Sequence, residues 1–339
     1  MRLRLLAAVM SLAALAAAPR AARRLAAAQI GPQNVSHLVW IDRTGKRLSV
    51  VDGPANERAV ELSPDGRRAA VSLLTASRQT RDIAIVDLAT GTRTKLTDDD
   101  GDKLFAIWTP DGSRIVFDRD QRSATGARNL YEKNADGTGT DTLVFGDQRP
   151  KWPLSFSSDG RYLAFVTVNS LGVTQGFEFR TQDIEVLPLT GANRKPIPFQ
   201  QSPDTESYPR FSPDGRWIAY GSDQELYVAP FPGPGRAVQV SSEPGTLPRW
   251  RRDGKELFFI TASGTNMTLN AAPVTVQGSA IEIGPAARLF EFDALATGFY
   301  PYDVAADGQR FLVDVAVTAA TATPKSIALS LFAHPEHGR

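Results

Sequence analysis

Ser63-Pro64-Asp65-Gly66 recurs five more times along the chain. The other copies are Thr109-Pro110-Asp111-Gly112, Ser157-Ser158-Asp159-Gly160, Ser212-Pro213-Asp214-Gly215, Arg251-Arg252-Asp253-Gly254 and Ala305-Ala306-Asp307-Gly308. The order of residue types is that of a type I turn: Pro pre-sets φ at the second position, Asp suits the third, and Gly accepts the positive φ that ends it. Strand-like runs flank the turns, such as Phe105-Ala106-Ile107-Trp108 before and Trp217-Ile218-Ala219-Tyr220 after. The six aspartates lie 46, 48, 55, 39 and 54 residues apart. Repeats of about 40–50 residues built from short strands indicate a β-propeller, one four-stranded blade per repeat.

The register of the strand before each turn supports this reading. Three residues before each Asp stand Leu62, Trp108, Phe156, Phe211, Trp250 and Val304, all large and apolar. One residue earlier stand Glu61, Ile107, Ser155, Arg210, Arg249 and Asp303, five of them polar. Neighbouring strand residues point to opposite faces, so the first set is expected to pack between blades and the second to tilt toward a less buried surface near the axis. Glu61, Arg210, Arg249 and Asp303 are therefore the candidate ligand-binding group, at the edge of the channel. The competing reading is that they pair with one another or with solvent. On the binding reading, alanine at Arg210 and Arg249 together weakens ligand binding and leaves stability nearly intact. The turn aspartates Asp65, Asp111, Asp159, Asp214, Asp253 and Asp307 are read as structural, because Asp stabilises turns through its own backbone contacts.

A second hairpin follows the first in the repeats, as in Asp82–Asp87 with Thr94–Thr97 around Thr90-Gly91. Two hairpins make a four-stranded antiparallel blade. Six signatures over residues 36–334 predict an all-β, six-bladed propeller in one domain. An orphan hairpin at Leu38–Asp42 and Leu48–Val51, together with a late strand at Ser326–Phe332, predicts a last blade completed from both ends of the chain, which leaves no open sheet edge. Seven blades with one incomplete is the alternative.

Among 339 residues, 38 basic side chains balance 37 acidic ones, so no global field favours nucleic acid or an anionic membrane. The absence of cysteine excludes disulfides, thiolate metal sites and cysteine catalysis. Residues 1–28 read as a signal peptide or N-terminal anchor. Arg2 and Arg4 precede fourteen apolar or small residues, Leu5 to Ala18, too few for a span of about 20. Residues 335–339 read as a tail. His37, His334 and His337 stand near the chain ends, so no histidine-built metal centre is expected. Asp98-Asp99-Asp100-Gly101-Asp102 resembles a calcium loop only superficially: Leu96 and Ile107 fall where ligands are needed. It reads as a solvated loop between blades. The basic cluster Arg249, Arg251, Arg252 and Lys255 reads as turn-proximal charge rather than a nucleic-acid grip.

The Ser-Pro-Asp-Gly-Arg hairpins, followed by strands such as Trp217-Ile218-Ala219-Tyr220-Gly221-Ser222-Asp223, resemble TolB-like repeats, relatives of WD-repeat propellers. Tyr227-Val228-Ala229-Pro230-Phe231-Pro232-Gly233 and Pro248-Arg249-Trp250-Arg251-Arg252-Asp253-Gly254 are similar to the C-terminal sensor propeller behind the kinase domain of many bacterial serine/threonine protein kinases. The similarity covers residues 36–334. The chain carries no Gly-rich nucleotide loop, no His-Arg-Asp loop and no Asp-Phe-Gly motif, and phosphoryl transfer needs these parts in concert. No Gly-x-Ser-x-Gly nucleophile elbow is present either.

The resemblance implies a non-catalytic sensor or interaction module. The expected partner is a protein, peptide or small ligand on the ring face, with no cofactor and no metal. Membrane contact is expected only through an N-terminal anchor. The expected location is periplasmic or otherwise extracytoplasmic, the alternative being a cytoplasmic remnant of a larger protein. A TolB-like envelope-assembly protein and a propeller hydrolase of lactonase or glycosidase type are the alternative functions.

Overall fold

The structure, a computed structural model, describes residues 35–317 apart from the stretches 76–79, 121–126, 175–176, 192–193, 203, 234, 242, 264–265 and 295–299. The leader, the strand expected at 326–332, His334, His337 and the tail lie outside the described residues. All six turns close in the same way. The Gly N–H donates to the carbonyl three residues back at 2.8–2.9 Å, and the six glycines have φ between 67° and 74°. Each Asp carboxylate accepts the backbone N–H two residues further on, at 3.0–3.1 Å. Where the turn opens with Ser or Thr, the hydroxyl donates to the same carboxylate. That hydroxyl oxygen also accepts the N–H five residues on. These bonds, led by the hydroxyls of Thr109 and Ser157, hold Asp111 and Asp159 down to about 2.

The chain enters with β1 (Ser36–Asp42) and β2 (Arg47–Val50). Blade 1 follows as β3 (Glu57–Leu62), β4 (Arg68–Thr75), β5 (Thr80–Asp87) and β6 (Arg93–Lys95). Blade 2 is β7 (Ala106–Trp108), β8 (Arg114–Asp120), β9 (Arg128–Asn134) and β10 (Thr142–Phe145). Blade 3 is β11 (Lys151–Phe156), β12 (Tyr162–Thr174), β13 (Phe177–Pro188) and β14 (Ile197–Gln200). Blade 4 is β15 (Glu206–Phe211), β16 (Trp217–Ser222), β17 (Glu225–Pro230) and β18 (Val238–Gln239). Blade 5 departs from the pattern. After β19 (Thr246–Trp250) and β20 (Glu256–Ser263), the long β21 (Asn266–Gln277) pairs along its second half with β22 (Ala280–Ile283). Along its first half it pairs with β23 (Ala287–Asp293). The last blade holds β24 (Tyr302–Val304) and β25 (Arg310–Ala316), completed by β1 and β2 in the order β2-β1-β25-β24. The ring therefore has six blades, closed by the orphan hairpin.

Alternation along each strand builds the core. In β4, Ala69 and Val71 pack toward blade 6 with Leu38, Trp40 and Leu312, whereas Ala70 packs toward blade 2 with Ala106, Trp108 and Phe117. The apolar residue three before each turn Asp lies in one of these inter-blade clusters. Twice it is a tryptophan that also staples the ring: Trp108 Nε1 donates to Glu61 O (3.1 Å) and Trp250 Nε1 to Arg210 O (3.0 Å).

The innermost strands carry the feature that shapes the axis. The register slips between Arg58 and Glu61, between Ser207 and Arg210, and between Thr246 and Arg249. Inside each slip a non-glycine residue takes positive φ: Ala59 (56°), Tyr208 (55°) and Leu247 (56°). A bulge re-aims the side chains beside it. Here each one precedes a charged residue that reaches the axis.

Candidate functional site: the axial funnel

On the face carrying the six turns, the blades surround a funnel of about 520 Å³. Its walls include Leu62, Phe156, Phe211, Trp250 and Val304, and its floor is Glu61, Arg210, Arg249 and Asp303. These four come from blades 1, 4, 5 and 6. Arg210 reaches across the axis to Glu61 in the opposite blade with two parallel bonds, Nη1 to Oε1 at 2.9 Å and Nη2 to Oε2 at 3.0 Å. Arg249 Nη2 lies 2.9 Å from Glu61 Oε2 and donates to Val60 O, and Arg249 Nε lies 3.2 Å from Asp303 Oδ1. Asp303 in turn accepts the backbone N–H groups of Leu62 (2.7 Å) and Val304 (2.8 Å).

Beneath this layer the channel is plugged. Both guanidinium groups stack on Tyr300, at 4.4 Å for Arg210 and 4.1 Å for Arg249. Tyr300 packs edge-on against Phe105 and Tyr208, and Phe105 against Trp152. The aromatic plug shields the ionic layer from solvent below, which governs its electrostatics. Burial pushes Glu61 up to about 8 against the pull of Arg210, with the Asp303 charge adding to the rise. Burial likewise raises Asp303 to about 6 and Tyr300 to about 12. Glu61 keeps Arg210 firmly charged despite the desolvation of that guanidinium.

The register argument selected all four floor residues, and the structure brings them together. It also places the two arginines deeper than expected: Arg249 is 4 % and Arg210 7 % exposed, more buried than the wall residues Leu62, Phe156 and Trp250. Pairing across the axis is the reason, because a buried guanidinium is tolerated only against a carboxylate. The expectation that alanine at both arginines together leaves stability nearly intact is therefore corrected, since removing the two leaves the Glu61 carboxylate without a cationic partner. Pairing is nonetheless incomplete. Arg249 Nη1 is buried and has no hydrogen-bond partner, and Nε has no aligned acceptor despite its closeness to Asp303.

A family model described as the TolB beta propeller domain matches residues 22–196, just over half of the chain. The chain belongs to the TolB β-propeller family. Solved structures agree on the fold of this TolB-type ring. A protein described as TolB from Agrobacterium tumefaciens superposes with a TM-score of 0.64 at 16% identity, covering 84% of this chain and 99% of the other. TolB from Acinetobacter baumannii gives 0.51 at 14%, covering 83% of this chain and 63% of that one. An oligogalacturonate lyase in complex with manganese gives 0.53 at 15%, covering 84% and 78%.

Sequence reasoning missed two contributors to this TolB-type funnel. Tyr300 lies seven residues before Asp307, outside the two strand positions that precede each turn, and takes φ of 46° without being glycine. Trp40 and Arg310 reach the rim as a cation–π pair at 4.4 Å, and Trp40 arrives from the hairpin that closes the ring. The aspartate-rich loop is not simply solvated. Fully buried Lys103 places its ammonium among Asp99 Oδ1 (2.8 Å), Gly101 O (2.7 Å) and Asp82 Oδ1 (3.4 Å), the position a cation would seek. Among the described residues, no three His, Cys, Asp or Glu side chains are grouped to hold a metal ion. Also among them, no helix is long and apolar enough to cross a membrane. The turn aspartates are engaged within their own turns, and Asp65 and Asp307 among them line the funnel.

Proposed function

We propose that this TolB-type propeller is a non-catalytic binding module whose ligand enters the axial funnel and presents a hydrogen-bond acceptor to Arg249. The observation that carries this reading is the incomplete pairing of Arg249, which lines the funnel floor while its buried Nη1 has no hydrogen-bond partner. A buried donor left unpaired costs about 1–3 kcal/mol, and an incoming carboxylate or carbonyl oxygen removes that cost. Trp250, Phe211 and Phe156 supply apolar wall for the rest of the ligand. Non-catalytic action is favoured because both floor carboxylates are held by arginines and backbone N–H groups, which leaves neither poised as a nucleophile or base. The Arg-led apolar leader supports an extracytoplasmic location. Family membership favours an envelope-associated role over the kinase-sensor resemblance.

The test is binding of peptides selected from a displayed random library, compared between the wild type and Arg249→Lys. The lysine keeps the positive charge beside Glu61 and Asp303 but loses the second guanidinium donor. At least a tenfold loss of affinity is expected, and equal affinity overturns the reading. Fractionation with an intact mass tests location: recovery of a full-length cytosolic chain refutes export.

A further inference from the structure

A cleft of about 900 Å³ opens between the outer parts of blades 4 and 5. Two breaks in the sheet edges frame it. In blade 4 the outer strand β18 is only two residues long. In blade 5 the edge passes from β22 to β23 through Gly284, Pro285 and Ala286, which line the cleft. Ladder pairing sets Phe259 opposite Asn270 and Thr261 opposite Thr268, so these four side chains share one face of blade 5. That face looks toward blade 4, because Phe259 packs with Trp217 and Leu226. Gln239, Val240 and Ser241 line the facing wall.

The junction of blades 1 and 2 has the same backbone pattern and different side chains. Gly245 N–H donates to Gln224 O (2.8 Å) as Lys103 N–H donates to Arg81 O (3.1 Å). Val240 N–H donates to Leu226 O as Leu96 N–H does to Ile83 O, both at 2.8 Å. Gly245 therefore holds the place of Lys103, and Ser241 the place of Thr97. Thr97 is fully engaged: its Oγ1 accepts the Ile83 N–H (3.0 Å) and donates to Asp82 (3.1 Å), on which the Lys103 ammonium also closes (3.4 Å). Between blades 4 and 5 the glycine supplies no such side chain. The Ser241 hydroxyl, on a residue 7 % exposed, has no hydrogen-bond partner among the described residues. A methyl group on Gly245 would stand 2.8 Å from Ser241 Oγ and 3.2 Å from the Phe259 ring, so glycine is what lets both close over that position.

We infer that this cleft is a binding site for a neutral saccharide. Its walls offer hydroxyls and carboxamides. Ser241, Thr261 and Thr268 each donate and accept, while Asn270 commits its amide nitrogen to Thr261 Oγ1 (3.2 Å) and Thr268 O (3.1 Å) and keeps Oδ1 as an acceptor. Sugar hydroxyls also donate and accept, so they match such a lining. A charged ligand would shed its hydration there against neutral groups. The two charged lining residues, Glu243 and Arg288, are exposed, and Arg288 is already bonded to Glu291. Phe259, Val240, Ile283 and Pro285 supply apolar surface for the C–H faces of a sugar ring. The volume lies near the top of the roughly 300–1,000 Å³ range of small-molecule sites, which leaves room for more than one ring. The cleft shares no lining residue with the axial funnel, so this site stands independently of the funnel reading.

The test screens the full chain against an array of neutral, acidic and basic oligosaccharides. The best-bound neutral one is then measured by titration calorimetry. Ser241→Ala removes a hydroxyl that has no partner to lose, so it should melt no lower than the wild type while weakening that oligosaccharide at least fivefold. Thr268→Val keeps the branched shape that strands favour and should weaken binding likewise. Arg249→Lys, in the funnel, should leave the saccharide affinity unchanged. Binding that survives both cleft substitutions overturns the assignment, as does binding of charged glycans alone or of no glycan. A loss at Arg249→Lys with none at Ser241→Ala moves the saccharide to the funnel, which sinks this site and leaves the funnel reading standing.

Discussion

Replacing Arg210 by Met is the most direct probe of the ionic layer. The substitution removes two bonds to Glu61 and the guanidinium stacked on Tyr300, while a flexible apolar chain refills most of the space. Removing one partner of a buried pair costs about 3–5 kcal/mol. Two features lower the figure here: Arg249 still stands 2.9 Å from Glu61, and Glu61 keeps 17% of its side-chain surface in contact with solvent. A loss of about 2–3 kcal/mol results, equivalent to roughly 3–5 °C in Tm for a chain of this size. The assay is urea unfolding followed by tryptophan fluorescence. The companion variant Arg210→Met with Glu61→Leu removes both charges together. It should be more stable than Arg210→Met alone, because no carboxylate is then stranded. A single-variant loss below about 1 kcal/mol, or purely additive effects in the pair, would refute the claim that the layer is a coupled buried network.

Other consequences concern pH, the aspartate-rich loop and the turns. Burial, reinforced by the Asp52 charge, raises Glu57 from its ordinary 4.5 to about 8. The folded state thus holds a proton that the unfolded state releases, and this contribution is complete below about pH 4.5 and lost as pH rises toward 8. Glu57→Gln should flatten that fall in a series of denaturation curves, and an unchanged slope would contradict it. Lys103→Met should cost about 3 kcal/mol by stranding the oxygens it serves, measured by the same unfolding assay. Millimolar calcium should leave the wild-type Tm where it is, because the ammonium already sits among those oxygens. Gly112→Ala should cost about 1–2 kcal/mol through its φ of 70° alone. The new methyl would make only an ordinary contact with Pro64, so a neutral result in thermal melts would show that the turn relaxes.

The ring was legible because its turns are chemically explicit. Ser-Pro-Asp-Gly specifies a local geometry with few competitors, and its spacing sets the blade length. The floor residues were legible as a set because strand alternation is strict over two positions. That they pair with one another stood only as the competing reading, and which pairs form was not legible, because the residue that reaches across an axis depends on bulges at Ala59, Tyr208 and Leu247. Those positions adopt left-handed φ with no glycine to announce them. Blade 5 hid its irregularity for a related reason. Gly284-Pro285 reads as an ordinary loop, yet it marks where the outer edge passes from β22 to β23. Tyr300 escaped because an aromatic residue before a hairpin reads as inter-blade core, whereas here it is the platform for two guanidinium groups.

In the last blade, Ser36 pairs with Ala316 and the Val317 N–H donates to Val35 O at 2.9 Å, so the two ends of the described ring lie side by side. The contact joins residues about 280 positions apart, and it forms only after nearly all of the propeller has been made. Until then β1 has no partner on its β25 side, and the innermost strand of blade 1 has no blade 6 beside it. Assembly of the circle is therefore late and non-local, the kind of step that slows folding. Once the hairpin is in place the seam is no weaker in kind than any other blade: seven consecutive residue pairs join β1 to β25. A circular permutant that links residues 35 and 317 through a short connector and opens in the hairpin at Asp136-Gly137 should form the same ring. Its late step would simply move to blade 2, because the architecture specifies a cycle and not a starting point.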